Sequence, residues 1–383
     1  MKKNIAIVIT RLDLGGAQKV ALELAAGLDK KKFNVHLICG TGGFLDADAK
    51  NIKGITLGFI PELIHPIHIL ADFMAYIKLI HYFEKNHIEL VHTHSSKAGL
   101  LGRLAAATAD NKPVIFHTVH GFPFHEYQNP LARLMYIGLE RFAGIFTKKF
   151  IAVGADVLEY GLNNGVGTRD KYAVIRAAVD VMEFKKAKAD RKKYLSSLGL
   201  NPEAFTVGMI GNLKKQKNPV GFVKIAKLSN VDNKNLQFIF AGGGPLRVEA
   251  QELIDKYKLG DRVKLLGWIN EPEKMLKCID LFLLTSLWEG LPCTLVQAAA
   301  AGVPAVASDI AGNSEFIKLA NSGELYPPKD YKAGAEAVLR AAGKKKKQNI
   351  KTSALKKFDV KYMVKEHEKL YLKEMPSNSP GPK

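Results

Sequence analysis

Short runs of apolar, often β-branched residues alternate along the chain with longer segments in which apolar residues recur every three or four positions. The short runs are typical of buried parallel strands, and the longer segments are typical of helices that cover a sheet. This alternation indicates parallel β-α-β units. The predicted strands are residues 5–10, 35–40, 55–60, 90–94, 114–119, 150–153, 172–176, 207–211, 236–241, 263–266, 281–285, 305–308 and 324–326.

The length and the hydrophobic content predict two α/β domains. The chain has 383 residues, of which 47% are hydrophobic, and this is enough for about two domains with full cores. Residues 180–203 are charged and weakly periodic, which indicates a hinge and the first helix of a second domain. We therefore expect a first domain over 1–179, a second over 180–360, a helix over 361–375 that returns to the first domain, and a disordered tail over 376–383.

The chain is strongly basic, with 56 Lys and Arg residues against 37 acidic residues and a net charge of +19. Its basic runs, at 185–193 and 344–347, lack the interleaved aromatic residues of a nucleic-acid surface. Attraction to an anionic membrane surface or to a diphosphate substrate explains the excess of basic residues better. Membrane attachment is expected to be electrostatic and to be released by salt, since residues 290–308 are uncharged but broken by two prolines and a glycine.

Three cysteines, Cys39, Cys278 and Cys293, form neither a disulfide framework nor a zinc-binding spacing, which favours a reducing compartment.

The stretch from 285 to 309 carries the clearest candidate chemistry. It reads as the end of a strand, a loop with one carboxylate at Glu289, a helix from Cys293 and a further strand. Ligands of open parallel sheets bind at the carboxyl ends of strands, and a helix start suits a phosphate. Taken alone, Glu289 is explained equally well as part of a solvated turn.

Other predicted strand ends also carry polar or glycine-rich loops. Asn212, Lys214 and Lys217 follow one strand, where lysines suit a diphosphate, although an exposed basic turn has the same composition. Gly243 and Gly244 follow the next strand and offer backbone amides. In the first half, the loop with adjacent glycines is not G-x-G-x-x-G, so a nicotinamide cofactor has little support. Three further candidates lie in loops or helix starts that follow predicted strands: Gly15, Gly16 and Glu315.

Five histidines lie at or after strand ends: His92, His94, His117, His120 and His125. A metal site is disfavoured because Glu126 is the one carboxylate nearby, and a neutral histidine that bonds a sugar hydroxyl or a backbone group fits better. Asp46 and Asp48 have a metal-binding spacing, but we expect them in a surface loop away from a strand end. Ser95 precedes a helix, where capping explains it.

Taken in chain order, these loops resemble those of retaining family 4 glycosyltransferases, and the resemblance covers nearly the whole chain. The resemblance implies the GT-B fold, an α/β fold of two Rossmann-like parallel-sheet domains facing across a cleft that closes on the donor. The segments 92–99 (HTHSSKAG) and 117–122 (HTVHGF) are similar to bacterial enzymes that build capsule, O-antigen or related glycans on a polyprenyl diphosphate carrier.

The resemblance also implies site roles. Lys217 would neutralise the departing diphosphate, Glu289 would hold donor-sugar hydroxyls, and His120 would contact the sugar near the reacting centre. The amide of Gly16 would face the diphosphate, and the main chain around Trp268 would face the base. The catalytic residues would thus be His120, Lys217 and Glu289, and the donor-binding residues Gly15, Gly16, Asn212, Lys214, Gly243, Gly244, Trp268, Gly290, Leu291, Gln297 and Glu315.

Two positions depart from the family pattern. Asn212 stands where arginine is common, which removes one charge from the diphosphate site, and Lys214 is the candidate substitute. Gln297 stands where a second glutamate usually binds the ribose diol.

We interpret the chain as a metal-independent enzyme without a cofactor. It would move a hexose or N-acetylhexosamine, with retention, from a nucleotide-sugar, for which UDP is the expected nucleotide, to a polyprenyl-diphosphate-linked saccharide. It would work in the cytoplasm, on the inner face of the membrane, without nucleic acid. The alternatives are a nucleotide-sugar 2-epimerase of the same fold and a non-catalytic homologue that serves as a scaffold.

Overall fold

The computed structural model describes residues 2–230, 235–344 and 350–375. The chain forms two compact units, and each has its own parallel sheet and core. The first unit contains the residues up to Ala178 and the segment from Val360, and the second unit runs from Val179 to Asp359. The expected tail over 376–383 and most of the basic run at 344–347 lie outside the described residues.

The first unit has a seven-stranded parallel sheet in the order β3-β2-β1-β4-β5-β6-β7. Its strands are β1 (Lys3–Val8), β2 (Phe33–Cys39), β3 (Ile55–Phe59), β4 (Leu90–His94), β5 (Val114–Val119), β6 (Lys149–Ala152) and β7 (Tyr172–Val174). Its helices are α1 (Gly16–Gly27), α2 (Asp46–Asn51), α3 (Ile69–Lys85), α4 (Ser96–Thr108), α5 (Pro130–Phe146), α6 (Ala155–Asn163) and, from the end of the chain, α15 (Val360–Glu374).

The second unit has a six-stranded parallel sheet in the order β10-β9-β8-β11-β12-β13. Its strands are β8 (Phe205–Ile210), β9 (Leu236–Ala241), β10 (Val263–Gly267), β11 (Leu281–Leu284), β12 (Ala305–Ser308) and β13 (Gly323–Tyr326). Its helices are α7 (Val181–Lys186), α8 (Arg191–Ser197), α9 (Pro219–Asn230), α10 (Arg247–Lys256), α11 (Pro272–Lys277), α12 (Cys293–Ala300), α13 (Ala311–Ala320) and α14 (Tyr331–Gly343).

The expected α/β architecture of two Rossmann-like parallel sheets is confirmed, and each predicted strand corresponds to an observed one. The boundaries differ by up to two residues. Strand β1 ends at Val8 rather than at Thr10, because Thr10 leaves the ladder and its amide bonds the Ser95 hydroxyl. Asp46 and Asp48 do not lie in a loop as expected. They begin α2, where Asp46 accepts bonds from the amides of Gly42 and Gly43.

The strand orders place a topological switch point in each sheet. In the first unit the order reverses between β1 and β4, and in the second between β8 and β11. Loops on either side of such a point leave the sheet in opposite directions and open a crevice at its carboxyl edge. In the first unit, helices α3 and α4 pack on one face of β1 and β4 around residues such as Val8, Leu79 and Ala105. Helix α15 packs against α1.

Candidate active site

In the second unit, the loops after β8, β9 and β10 are joined by backbone hydrogen bonds. The Leu213 amide donates to the Gly243 carbonyl over 2.9 Å, and the Gly242 amide donates to the Gly267 carbonyl over 2.7 Å. The Leu246 amide completes the arrangement with a 2.9 Å bond to the Leu213 carbonyl. The three loops therefore form one connected surface at the carboxyl edge of the sheet.

Glycine is required in these loops by close contacts. A Cβ on Gly242 would lie 1.9 Å from the Gly211 carbonyl oxygen, and Gly244 has a φ of +153° with the Leu213 backbone 2.6 Å from the Cβ position. A Cβ on Gly243 would lie 2.6 Å from the Trp268 indole nitrogen, so the indole packs directly on the glycine loop. Trp268 remains 48% exposed and is available to a ligand.

Lys217 and Glu289 form a salt bridge across the switch point, between the β8 loop and the β11 loop. Both side chains are largely buried, with 15% and 8% exposed. The Lys217 stem crosses Gly211, where a Cβ would be 3.3 Å away. The Gln216 side chain donates to the Trp288 carbonyl over 3.0 Å and approaches the Glu289 carboxylate at 3.4 Å. The two candidate catalytic side chains of this unit therefore neutralise one another.

A network of hydroxyl and amide groups that the sequence did not single out supports Glu289. The Ser286 hydroxyl donates to Glu289 Oε1 over 2.7 Å, and the Ser308 hydroxyl donates to the Ser286 carbonyl over 2.5 Å. Asn313, which is fully buried, donates to the Ser308 carbonyl over 3.0 Å. Ser286 and Ser308 lie within the 285–309 stretch, at or just after strand ends, and Asn313 lies two residues before the candidate Glu315. Thr285 acts similarly on the other partner, since its hydroxyl donates to the Lys217 carbonyl over 2.8 Å.

Helix α13 approaches the Glu289 loop so closely that only glycine fits. A Cβ on Gly312 would lie 1.9 Å from the Gly290 carbonyl oxygen. Gly290 and Leu291 are both buried and lead into α12, which begins at Cys293 without a side-chain cap. The amides at this helix start therefore lie just after Glu289 in the chain, as expected.

The remaining predicted donor-binding residues of this unit lie on the same sheet edge or one turn from it. Asn212 is half-buried in the β8 loop, and Lys214 is exposed beside it. Gln297 lies in the second turn of α12 and is buried. Glu315 lies in the second turn of α13 and is half-buried. The structure thus collects the second-unit candidates at one edge, with Gln297 and Glu315 set back along their helices.

In the first unit, Gly15 and Gly16 lie where α1 begins. Gly15 is the N-cap, without a side-chain cap, and no acidic residue occupies the first turn of this described helix. On the other side of the switch point, Ser95 has a φ of +62° and its hydroxyl lies 2.8 Å from the Thr10 hydroxyl. Ser95 is the N-cap residue of α4, as expected, but its side chain makes no capping bond. The Thr10 hydroxyl accepts the bond from the Ala98 amide of α4 instead, over 3.1 Å.

Three histidines of the first unit form a chain of side-chain contacts, in which His92 and His94 are buried and His120 is half-buried. His120 Nε2 lies 2.9 Å from His94 Nδ1, and the rings of His94 and His92 lie 4.3 Å apart. His92 Nδ1 contacts the Tyr371 hydroxyl at 2.5 Å, and His92 Nε2 contacts the Thr118 hydroxyl at 2.7 Å. The prediction that His92 and His94 share one face of a strand is confirmed.

Burial keeps these imidazoles neutral. Desolvation, together with the neighbouring His367, lowers the pKa of His120 to about 3. Desolvation also lowers the pKa of His367 to about 4, and it holds the pKa values of His92, His94 and His117 well below their ordinary value. The His367 Nδ1 proton is fixed by a 2.8 Å bond to the Met363 carbonyl. At neutral pH, His120 can therefore exchange hydrogen bonds but carries no charge.

Across the described ranges, no three His, Cys, Asp or Glu side chains are grouped so that they could hold a metal ion. The three cysteines are free. No helix in the described parts of the chain is both long and apolar enough to cross a bilayer.

Comparison with known proteins decides the family. Residues 14–183 match Glycosyltransferase Family 4, and residues 190–357 match Glycosyl transferases group 1. The chain is 32% identical over 372 residues to the Escherichia coli UDP-Gal:alpha-D-GlcNAc-diphosphoundecaprenol alpha-1,3-galactosyltransferase, with 94% of each chain covered. The chain belongs to the family 4 glycosyltransferases.

Other relatives agree with this assignment. The family 4 glycosyltransferase described here is 21% identical over 323 residues to the Staphylococcus aureus capsular polysaccharide biosynthesis glycosyltransferase CapM, with 81% of each chain covered. It shares its fold with Anabaena HepE, solved in complex with UDP-glucose, with a TM-score of 0.82, 19% identity and 97% and 99% of the two chains covered. The resemblance to capsule and O-antigen enzymes with the GT-B fold is therefore confirmed.

Proposed function

We propose that this glycosyltransferase moves a hexose or N-acetylhexosamine from a UDP-sugar to a saccharide linked to a polyprenyl diphosphate, with retention and without a metal ion. The observation that carries the proposal is the meeting of Lys217 and Glu289 at the switch point of the second unit. One is a cation suited to a diphosphate, and the other is a carboxylate suited to sugar hydroxyls. The galactosyltransferase relative, which is named for a UDP donor and a diphosphoundecaprenol acceptor, supports both substrate classes.

The proposed chemistry is a substitution at the anomeric carbon. The bond from that carbon to the diphosphate breaks, the acceptor hydroxyl forms the new bond on the same face, and its proton passes to the departing diphosphate. Lys217 stabilises the charge that develops on the leaving group, as a preorganised cation does in other transfers. Glu289, held by Ser286, accepts bonds from donor hydroxyls. The role of His120 beside the sugar stays a prediction.

The donor has to break the salt bridge in order to bind. The donor diphosphate pairs with Lys217, and the donor-sugar hydroxyls donate to Glu289. Each side chain therefore exchanges its salt-bridge partner for a group of the donor. Separation of Lys217 from Glu289 therefore requires a ligand that carries both a diphosphate and sugar hydroxyls. We further propose that the enzyme works on the cytoplasmic face of the membrane, which the net charge of +19 and the lipid-linked acceptor of the relative support.

The test is turnover of radiolabelled UDP-hexoses with undecaprenyl-diphosphate-linked N-acetylhexosamine, with and without EDTA. We expect UDP release only when acceptor is present, undiminished activity with EDTA, and a product whose anomeric coupling in NMR matches that of the donor. UDP release without acceptor, accompanied by a 2-epimer, would favour the epimerase. An inverted product would exclude retention. Absence of turnover with every donor and acceptor would favour a scaffold.

A further inference from the structure

Helix α5 of the first unit turns its largest apolar side chains outward. The buried side of the helix carries Ile137, Ala143, Gly144 and Glu140. The outward side chains are between 37% and 78% exposed, and apart from one adjacent pair they recur every three or four residues, so they share one side of the helix. We call them the α5 face: Leu131, Leu134, Met135, Leu139, Phe142 and Ile145.

A buried ion pair fixes this orientation of α5. Glu140 accepts a 2.8 Å bond from Arg103 of α4, and the two side chains are 5% and 0% exposed. Arg103 is also tied to its own helix by a 2.7 Å bond to the Gly99 carbonyl. Rotation of α5 to bury the α5 face would leave Arg103 as an unpaired buried charge, which is strongly unfavourable. The outward apolar face is therefore built into the unit.

The neighbouring helices extend the apolar surface. Helix α4 packs against both α3 and α5. Its partly exposed positions include Leu100, Leu101 and Leu104. Helix α3 exposes a second apolar side along its first half: Ile69, Leu70, Phe73, Met74 and Ile77. Exposed apolar side chains that cluster on neighbouring helices, unlike singly scattered ones, mark an interaction site.

The charges on this surface favour an anionic bilayer over a second copy of the chain. Arg141 is exposed on α5 beside the apolar positions, where it also donates a 2.7 Å bond to the Asn164 carbonyl, and the one acidic residue of this fully described helix, Glu140, is buried. On the exposed half of α3, the acidic Asp72 is half-buried and is paired with Lys97 of α4 over 2.6 Å. A symmetric contact between two copies would bring like charges together on proteins of net charge +19. An anionic headgroup layer attracts the same cations and accepts the apolar side chains at its acyl boundary.

We propose that the α5 face, with the exposed half of α3, inserts into the interface of an anionic bilayer. Helix α5 has 17 residues and would lie flat along the surface over about 25 Å. Its biological setting rests on the proposed function, since a polyprenyl-linked acceptor is a membrane lipid, but its test does not depend on turnover. Insertion also changes the expected response to salt, because the apolar part of the attachment resists screening.

The test is co-sedimentation with vesicles of phosphatidylcholine and phosphatidylglycerol, with phosphatidylcholine vesicles as the neutral probe. We expect wild-type protein to bind the anionic vesicles and to stay partly bound at about 1 M salt, where the Debye length is about 3 Å. The variant Leu134→Glu/Phe142→Glu should lose about tenfold or more in partitioning. The matched control, Val248→Glu/Leu372→Glu, makes the same charge change at exposed apolar positions elsewhere and should bind like wild type.

Three outcomes would overturn the proposal: complete release by salt, equal loss of binding in both double variants, or a wild-type dimer that Leu134→Glu/Phe142→Glu converts to a monomer without changing vesicle binding. Thermal unfolding and transfer to a detergent-solubilised acceptor should be the same for both double variants as for wild type. If transfer fails in all proteins while vesicle binding follows the expectation, the proposed function is wrong and the bilayer surface stands.

Discussion

Lys217 and Glu289, 72 residues apart in the chain, are joined by a salt bridge at the point where the strand order of the second sheet reverses. The Ser286 hydroxyl donates to Glu289 Oε1, the Gln216 side chain approaches Glu289 Oε2, and the Thr285 hydroxyl donates to the Lys217 carbonyl. A buried ion pair of this kind is costly to break by removing one member, unless a ligand replaces the missing partner. Under the proposed function, a donor that supplies a partner for each side chain separates the pair and frees both of them.

Glu289→Ala should reduce transfer by at least about a hundredfold, because the donor-sugar hydroxyls lose their acceptor. UDP binding should be unchanged or tighter, since the substitution releases Lys217 for the diphosphate. Transfer assays and calorimetric titration with UDP would measure the two effects. Glu271→Ala, which removes an exposed partner of Lys274, is the control and should change neither. Wild-type turnover in Glu289→Ala would rule out a role in sugar binding.

Lys217→Ala should lower kcat by about a hundredfold, the effect of removing one preorganised charge from a developing anion. Lys215 lies in the same short turn and is exposed, so Lys215→Ala is the matched control and should retain nearly full activity. EDTA should leave wild-type activity unchanged. Activity that is lost with EDTA and restored by manganese would contradict the metal-independent mechanism.

Gln297→Glu should remain active and bind UDP several-fold more tightly. A carboxylate accepts two hydrogen bonds from a ribose diol, and charge-assisted bonds are stronger than those of an amide. The expected gain is about 1 kcal/mol, less some repulsion from the diphosphate. Titration with UDP measures the change, with the exposed Gln251→Glu as a charge control. Tenfold weaker binding would mean that Gln297 does not face the diol.

Gly312→Ala should lower both activity and stability, because its Cβ would lie 1.9 Å from the Gly290 carbonyl and one backbone segment has to move. We expect a loss of about 1–3 kcal/mol in the free energy of unfolding, the usual cost of overpacking. Activity should fall more than tenfold, since Gly290 follows Glu289 directly. Gly260→Ala is the control for urea unfolding and transfer assays, because a Cβ added at Gly260 would meet no other part of the protein within 4 Å. A Gly312→Ala protein with native activity would show that the loop tolerates the shift.

The buried histidines should make the protein less stable in mild acid. Their pKa values are lowered in the folded state from an ordinary value of 6.5, to about 4 for His367, so the unfolded chain takes up protons first as the pH falls below 6.5. Stability is then lost between about pH 6.5 and pH 4, by about 1.4 kcal/mol per pH unit for each such ring.

Urea unfolding at several pH values measures this slope. His367→Gln should make the slope shallower by about one proton, whereas His81→Gln, at an exposed position, should leave it unchanged. A wild-type free energy of unfolding that does not change between pH 7 and pH 5 would contradict the neutral, buried state of the cluster.

Much of the fold follows from local sequence. Buried parallel strands are short and rich in apolar residues, and the predicted bounds 90–94, 114–119, 236–241 and 305–308 coincide with the observed ones even where a strand contains His, Thr or Gln. The candidate chemistry was visible for a related reason, because polar residues directly after a buried strand lie at the sheet edge where ligands bind. Glu289, Lys217 and the glycine loops all occupy such positions in the sequence. Their roles toward a donor stay predictions.

Long-range contacts decided the rest. Strand periodicity does not specify strand order, so the sequence did not reveal that the β8 and β11 loops meet and that Lys217 pairs with Glu289. Ser308 and Asn313 support Glu289 only because β12 and α13 pack beside its loop. Helical periodicity likewise identifies an apolar side but does not say whether anything covers it. The Arg103–Glu140 pair decides the orientation of α5, because a buried charge needs its partner. With Glu140 turned inward, the apolar side of that helix faces outward.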